Sequence, residues 1–343
     1  MINLLHGDCL EQMKTLDDNS VDSIVSDPPY GISFMAKKWD YDVPSVDVWT
    51  EAMRVLKPGG HALIACGTRT QHRMVVNIED AGFEVRDVVS WIYGSGFPKS
   101  LNIHKKDERC PDGWGTALKP ACEFFTLARK PLSEKTVAAN VLKWGTGGIN
   151  IDGCRVEGKP RTTHKDGNFR TTSKDNRGGL NSYELSVPLG EYPSATGRFP
   201  ANLIHDGSQQ VLELFPETKP SKANPRNNKP SENVAMAGAN LGHVSHGHSD
   251  NGGSAARFFY CPKASKKDRD EGNNHPTVKP TALMQYLCRL ITPTGGVVLD
   301  PYMGSGSTGK AAVREGFSFV GCELDKDYYE IAKARVGTAE SIS

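Results

Sequence analysis

Asp27-Pro28-Pro29-Tyr30 stands directly after the strand-like run Val21–Ser26. Two consecutive prolines keep their carbonyl acceptors but carry no N–H donors. Asp27 adds carboxylate oxygens, and Tyr30 adds a flat ring with a polar tip. A nucleotide base with an exocyclic amine needs such a set: acceptors for its amine hydrogens and a face to stack on. A strand end broken by a Pro-Pro turn would look the same from these four residues alone. A second constellation weighs against that plainer reading. After the apolar run 296–300, Pro301-Tyr302-Met303-Gly304-Ser305-Gly306-Ser307-Thr308-Gly309 carries glycines in G-x-G-x-x-G spacing, and Glu323 follows 19 residues after Gly304. Backbone packed close to a ligand, followed by a carboxylate on ribose hydroxyls, is the layout of a nucleotide-ribose site.

Three chemistries compete for that loop. A P-loop needs Ser or Thr after Gly309-Lys310 to hold magnesium, and Ala311 stands there. A dinucleotide oxidoreductase fits the glycines and Glu323. It predicts an early loop, however, and this one begins near residue 304 of 343, leaving little chain for a second mononucleotide half and no task for Asp27–Tyr30. An adenosyl cofactor carrying an amino acid suits Asp300, whose carboxylate would repel a pyrophosphate but meet an ammonium or its bound water.

The elements that must position these residues fall into three stretches. Residues 1–128 alternate strand-like runs (3–6, 21–26, 61–66, 85–93 and 123–128) with two helical patterns, 9–16 and 46–56, the second ended by Lys57-Pro58-Gly59-Gly60. Residues 129–274 are rich in Gly, Asn, Ser, Thr and Lys, with apolar runs only at 201–204, 211–215 and 255–260. They read as a weakly packed insert. From His275 the earlier pattern returns: helix 282–291, strand 297–300, helix 308–315, strand 318–322 and a helix around 328–335. Short strands spaced by helices predict an α/β fold with a mostly parallel sheet.

Composition excludes some classes and leaves others open. With 37% hydrophobic and 24% charged residues, and no apolar run near the ~18 residues of a membrane helix, the chain reads as soluble. The start MINLLHGDCL does not read as a signal peptide, and eight cysteines without a CxxC pair predict reduced thiols in a cytoplasmic protein. The net charge of +1 is uninformative, but residues 155–182 hold seven bases (Arg155, Lys159, Arg161, Lys165, Arg170, Lys174, Arg177) against three acids. Such a stretch can follow a phosphate backbone, and a solvated loop would look much the same. His243, His246 and His248 lie close together in a Gly/Ser/Asn-rich setting with no cysteine or paired carboxylate nearby, so no metal is expected.

In this order the motifs resemble those of the S-adenosylmethionine-dependent DNA amino-methyltransferases, in the permuted (beta-type) group whose catalytic motif comes first and cofactor motif last. The resemblance covers both flanks. Asp27–Tyr30 matches the catalytic tetrapeptide. Residues 300–309 match the cofactor loop, with Tyr302 where phenylalanine is usual and Ser307 where threonine is common. Gly321-Cys322-Glu323 with Tyr328 or Tyr329 matches the ribose segment. His275-Pro276-Thr277-Val278-Lys279-Pro280 matches the element that closes over the methionine part of the cofactor, and Gly7-Asp8 the segment whose carboxylate approaches its adenine.

The resemblance implies a Rossmann-like methyltransferase fold, α/β with one open, doubly wound, mostly parallel sheet assembled from residues 1–128 and 275–343. It also implies S-adenosyl-L-methionine as cofactor with no metal, and double-stranded DNA as substrate, with a homodimer as one assembly state. It implies catalytic roles for Asp27, Pro28, Pro29 and Tyr30. Cofactor contacts are expected from Asp8, Cys9, Asp27, His275, Thr277, Lys279, Asp300, Tyr302, Gly304, Ser305, Gly306, Ser307, Thr308, Glu323 and Leu324. Asp27 and the Pro28 carbonyl would accept the amine hydrogens of a flipped base stacked on Tyr30, with no covalent enzyme intermediate. Candidate DNA contacts are Lys99, Lys105, Lys106, Arg155, Arg161, Arg170, Arg177, Lys266 and Lys267, and residues 129–274 sit where the family keeps target recognition. Trp91, Tyr93 and Glu123 read either as pocket residues or as ordinary strand residues. Asp at the first tetrapeptide position is commoner in members acting on adenine N6, which makes adenine the expected target and cytosine N4 the alternative. An oxidoreductase and a non-catalytic DNA-binding protein remain as further alternatives.

Overall fold

The computed structural model describes residues 1–32, 40–98, 100–158, 197–220, 225–227, 244–246, 252–262 and 273–340. Strand-forming runs with apolar residues on both faces build its central sheet. In β2 (Val21–Ser26), Ile24 faces one core and Val25 the other; Leu63 and Ile64 divide in the same way in β3 (Leu56–Gly67). Val298 and Leu299 do so in β11 (Val297–Asp300), as do Phe319 and Val320 in β12 (Ser318–Glu323). Side chains alternate across a strand, so such runs call for cover on both faces. One core takes residues of helices α1 (Cys9–Met13), α2 (Val46–Val55) and α3 (Gln71–Asp80). The other takes residues of α6 (Thr281–Ile291), α7 (Ser307–Arg314) and α8 (Lys326–Glu340).

With β1 (Ile2–His6), β4 (Glu84–Ile92), β5 (Cys122–Arg129) and β6 (Leu203–His205), the eight strands run in the order β1-β12-β11-β2-β3-β5-β4-β6. Neighbours are parallel except where β5 meets β3 and β4. The doubly wound, mostly parallel sheet expected from the sequence is therefore present. The two ends of the chain meet in it: β1 pairs with β12 in register Leu4 to Gly321, and Gly7 N–H donates to the Glu323 carbonyl at 2.9 Å.

Several details differ from the sequence reading. Helix α3 was not anticipated, because only Met74 and Ile78 of its ten residues are buried and two anchors make no visible period. Lys57-Pro58-Gly59-Gly60 does not lie between helix and strand. It is a bulged start of β3, tied to the neighbouring chain by Gly59 N–H to Lys130 O (3.1 Å) and Lys130 N–H to Gly60 O (2.9 Å). The compact sheet unit also extends past the expected boundary at 128, taking in residues up to 154, 199–214 and 259–343. Helix α4 (Val137–Trp144) belongs to it through Asn140, whose amide donates to the Pro58 and Thr146 carbonyls, and β6 adds an edge strand beside β4. The second unit comprises 155–198 and 215–258. Its described residues include the strand pairs β7 (Glu217–Thr218) with β10 (Gly253–Ser254) and β8 (Pro225–Asn227) with β9 (Val244–His246). No helix among the described residues is long and apolar enough to cross a membrane.

His61 of β3 is buried, and burial together with Arg129 and Arg86 pushes its pKa down to about 4 against a weaker upward pull from Glu84. The unfolded chain therefore binds a proton in a window where the fold does not. Stability is full above pH 6.5 and falls as pH drops towards 4. At pH 5 this histidine is expected to cost about 2 kcal/mol relative to pH 7.5. Urea melts of the parent and of His61→Gln at both pH values should show that much less acid sensitivity in the variant.

Candidate active site

Parallel strands direct their carboxyl ends to one edge, the usual ligand crevice of open α/β sheets. Here that edge collects the residues after β1 (Gly7, Asp8), after β2 (Asp27–Tyr30), after β11 (Pro301 onward) and after β12 (Leu324). Antiparallel β5 brings its first residues to the same edge, with Glu123 opposite Gly67 at the end of β3. A cavity of about 900 Å³ opens there.

At one side of the cavity the Gly-rich loop turns into α7. Gly306 has φ +80° and caps the helix, and a Cβ on it would stand 3.0–3.1 Å from Val336 and Ala332 of α8. A Cβ on Gly309 would come within 2.6 Å of the Phe319 ring. These glycines let the helix sit low against the sheet, which leaves the loop backbone exposed to a ligand. Glu323, at the end of β12, is raised in pKa mainly by burial, and its carboxylate accepts the Asp325 N–H at 2.7 Å. Asp8 caps α1 through one carboxylate oxygen, which accepts from Leu10 (3.0 Å) and Glu11 (3.3 Å). The segment from residue 273 lies along the loop: Asn273 Nδ2 donates to Ser305 Oγ at 3.2 Å, and the His275 ring meets Tyr328 edge-on at 4.4 Å.

Asp300 lines the cavity and is also engaged within the protein. It is 1% exposed, and one of its oxygens accepts from Ser26 Oγ (2.7 Å) and Tyr302 N–H (3.0 Å). Burial lifts its pKa to about 6, against bonds from Ser26 and Thr308 that pull the other way. It braces the ends of β2 and β11 as well as lining the cavity.

At the other side, Tyr30 is pinned. Its N–H and that of Gly31 donate to Asp40 at 2.7 and 2.9 Å, and its carbonyl accepts from Thr70 Oγ1 at 2.5 Å. Its hydroxyl donates to Asp27 Oδ1 at 2.7 Å, and burial beside Asp27 and Glu123 raises its pKa well above the usual phenol value. Gly67 leaves room for the ring, since a Cβ there would stand 3.1 Å from Tyr30 Cδ2. Lys279 joins the group with its ammonium 2.8 Å from both oxygens of Asp27 and 3.0 Å from Glu123.

Of the expected catalytic and cofactor residues, all except Gly306 line this cavity; Gly306 supports the loop from behind. Lys279 reaches the Asp27 carboxylate. Tyr93 lines the cavity, whereas Trp91 packs against the core. Asp40 was not identified from sequence, because no motif surrounds it and its role depends on backbone ten residues away. Lys105 and Lys106 are exposed in the β4–β5 connection. Arg155 belongs to the second unit. Lys99, Arg161, Arg170, Arg177, Lys266 and Lys267 lie outside the described residues, as do His243, His248 and the side chain of His246. Among the described residues no cluster of His, Cys, Asp or Glu is arranged to hold a metal. Burial pushes the thiols of Cys9 and Cys66, the latter close to Tyr30, up to about 11, so neither is poised as a thiolate nucleophile.

The cavity fits the cofactor that the resemblance implies. Gly304, Ser305, Ser307 and Thr308 of the glycine-rich loop line it, together with Glu323, Asp8 and Asp27. A family profile described as DNA methylase (N6/N4 methyltransferases) matches residues 21–334. Type II methyltransferase M2.DpnII of Streptococcus pneumoniae is 35% identical over 86 residues, which are 25% of this chain and 32% of that protein. The match thus spans about a third of that relative's length. Among solved structures, PvuII DNA methyltransferase (cytosine-N4-specific) aligns over 97% of this chain and 85% of its own with TM-score 0.51 and 14% identity. The M1.HpyAVI-SAM complex aligns over 98% and 99% with TM-score 0.47 and 19% identity. The likeness to the PvuII enzyme is one of fold. With the profile spanning nearly all of its length, the chain belongs to the N6/N4 DNA methylase family.

Proposed function

We propose that this protein methylates the exocyclic amine of a base flipped out of double-stranded DNA, with adenine N6 as the target. The carrying observation is that Asp27, Pro28 and the pinned Tyr30 share one cavity with residues of the glycine-rich loop, among them Asp300, Gly304, Ser305 and Thr308. S-adenosyl-L-methionine, when bound, supplies an electrophilic methyl group on a sulfonium. Residues 304–308, Glu323, Asp8 and the 275–277 segment would hold that cofactor. Tyr30 offers a stacking face, and Asp27 with the Pro28 carbonyl accepts the two amine hydrogens, turning the nitrogen lone pair toward the methyl group. A paired amine is out of reach in the duplex, which calls for base flipping.

The preference for adenine rests on Asp27 at the first tetrapeptide position. Exposed Lys105 and Lys106 suit phosphate contacts, and residues 155–198 and 215–258 fall in the stretch assigned to sequence reading. The bacterial or phage-infected cytoplasm is the setting this reading implies, and the motif order belongs to the permuted group.

Incubating the protein and labelled cofactor with mixed-sequence DNA, followed by nucleoside mass spectrometry and modification-sensitive sequencing, tests the reading. N6-methyladenine at one recurring site is the expected product. N4-methylcytosine alone would overturn the choice of base, and unmodified DNA would overturn the activity.

A further inference from the structure

Lys279 belongs by sequence to the segment expected to close over the cofactor, yet its ammonium is engaged with the catalytic tetrapeptide. The residue is 8% exposed, and Nζ lies 2.8 Å from each Asp27 oxygen, 3.0 Å from Tyr30 Oη and 3.0 Å from Glu123 Oε2. Burial by itself would discharge an ammonium, but the two carboxylates more than offset that and hold its pKa above the ordinary lysine value. Glu123 also accepts from the Tyr93 hydroxyl (3.5 Å), so it is anchored independently of Lys279; the Tyr30 hydroxyl oxygen lies 3.3 Å from it, with its one hydrogen given to Asp27.

Geometry distinguishes this lysine from one that blocks the site. Nζ is 5.4 Å from the Tyr30 ring centroid but only 3.0 Å from its hydroxyl oxygen, which puts the ammonium beyond the hydroxyl and not over the ring. Lys279 therefore does not cover the ring face. At the edge of that face an acceptor, Asp27, and a donor, Lys279, stand side by side 2.8 Å apart. Adenine and cytosine each present a complementary pair: an amine that donates, next to a ring nitrogen that accepts, N1 in adenine and N3 in cytosine. On its Watson–Crick edge guanine sets N1–H beside the amine, which would face Lys279 donor to donor. Thymine has no amine.

We propose that Lys279, held by Glu123, donates a hydrogen bond to the ring nitrogen beside the target amine while Asp27 accepts from the amine itself. Lys279 is then a base-binding residue that reads the Watson–Crick edge of the flipped base. On base entry it gives up its contact to the Tyr30 hydroxyl or to one Asp27 oxygen and keeps Glu123. Donation to the ring nitrogen also acidifies the amine hydrogens, which strengthens their bonds to Asp27 and the Pro28 carbonyl. This inference rests on the methyl-transfer reading.

The test uses duplexes bearing the mapped site, with the target adenine replaced by 1-deazaadenine, in which a C–H stands in place of N1 (3-deazacytosine should the mapped base be cytosine). For the parent protein kcat/KM should fall about 10- to 100-fold on the deaza substrate, the range of a hydrogen bond to a charged donor. Lys279→Met should be slower on normal DNA but nearly indifferent to the replacement, with S-adenosylmethionine affinity by calorimetry little changed. Lys279→Gln serves if the Met variant does not fold, and should show a reduced deaza penalty. Equal turnover of both substrates by the parent, or an undiminished penalty in the variants, would overturn the assignment and leave the methyl-transfer reading intact. A parent protein that methylates no natural DNA overturns both.

Discussion

Replacing Asp27 by Ala is expected to lower methyl transfer by about a thousandfold or more while cofactor affinity stays within a few-fold of the parent. The scale follows from removing a preorganised electrostatic partner of the reacting amine in a water-poor site, where loss of one such group costs about 10²–10³ in rate. Here more than one function is lost. Asp27 accepts the Tyr30 hydroxyl at 2.7 Å and both charge contacts of Lys279, so its removal also loosens the ring and the ammonium. The cofactor loop is held by separate bonds, Asn273 to Ser305 and Arg335 to Ser305, which the substitution does not touch. Radiolabelled methyl transfer under single-turnover conditions gives the rate, and calorimetry with S-adenosylmethionine gives the affinity. Turnover near that of the parent would remove Asp27 from the chemistry. Asp27→Asn should fall between the two, because its amide oxygen still accepts from Tyr30 but its amide nitrogen opposes the Lys279 ammonium.

Asp300→Asn should have opposite effects on stability and on function. The Asp300 carboxyl has its pKa raised by burial to about 6 from 3.8. The folded state then holds a proton that the unfolded state has released between those values, so stability is greatest below pH 3.8 as far as this group is concerned. It declines as pH rises to 6 and stays reduced above. At pH 7.5 the ionised carboxylate costs about 3 kcal/mol. Asparagine removes that charge and still accepts from Ser26 and Tyr302 N–H, both of which use the same oxygen, while the Thr308 hydroxyl can turn to accept from its amide. The variant should melt several degrees higher at pH 7.5, with the gain vanishing near pH 4, and should bind S-adenosylmethionine at least about tenfold more weakly. Differential scanning calorimetry at the two pH values and an affinity measurement check both halves. A lower Tm at pH 7.5 would refute the charge argument. Unchanged affinity would make Asp300 purely a brace between β2 and β11.

How far the site could be read in advance follows from the range over which each feature is encoded. The tetrapeptide after β2, the glycine loop after β11 and Glu323 after β12 are local patterns, each complete within about ten residues and each next to an apolar run that is a strand in any packing. Helix α3 escaped notice because Met74 and Ile78 are its only buried residues. The start of β3 was misread because Pro58, Gly59 and Gly60 punctuate a chain in most contexts, and only their bonds to Lys130 keep them in the sheet. Asp40 and Glu123 carry no motif of their own. One is assigned by the N–H groups of Tyr30 and Gly31, the other by Lys279 and two tyrosine hydroxyls.

By itself the sequence determined the chemistry on offer: an acceptor cluster with an aromatic face, a nucleotide loop of the kind that suits an adenosyl cofactor, and α/β elements that leave both at strand ends. Tertiary structure alone decided which charges share the pocket. Lys279 and Asp27 are 252 residues apart, and Ser26 and Asp300 are 274 apart. Their pairing depends on β11 lying beside β2, and on burial that makes an unpaired carboxylate or ammonium costly. Local pattern carries no record of that juxtaposition. For this reason Asp300 turned out to brace two strands and Lys279 to stand beside Asp27, although the residue types of both could be read from the start.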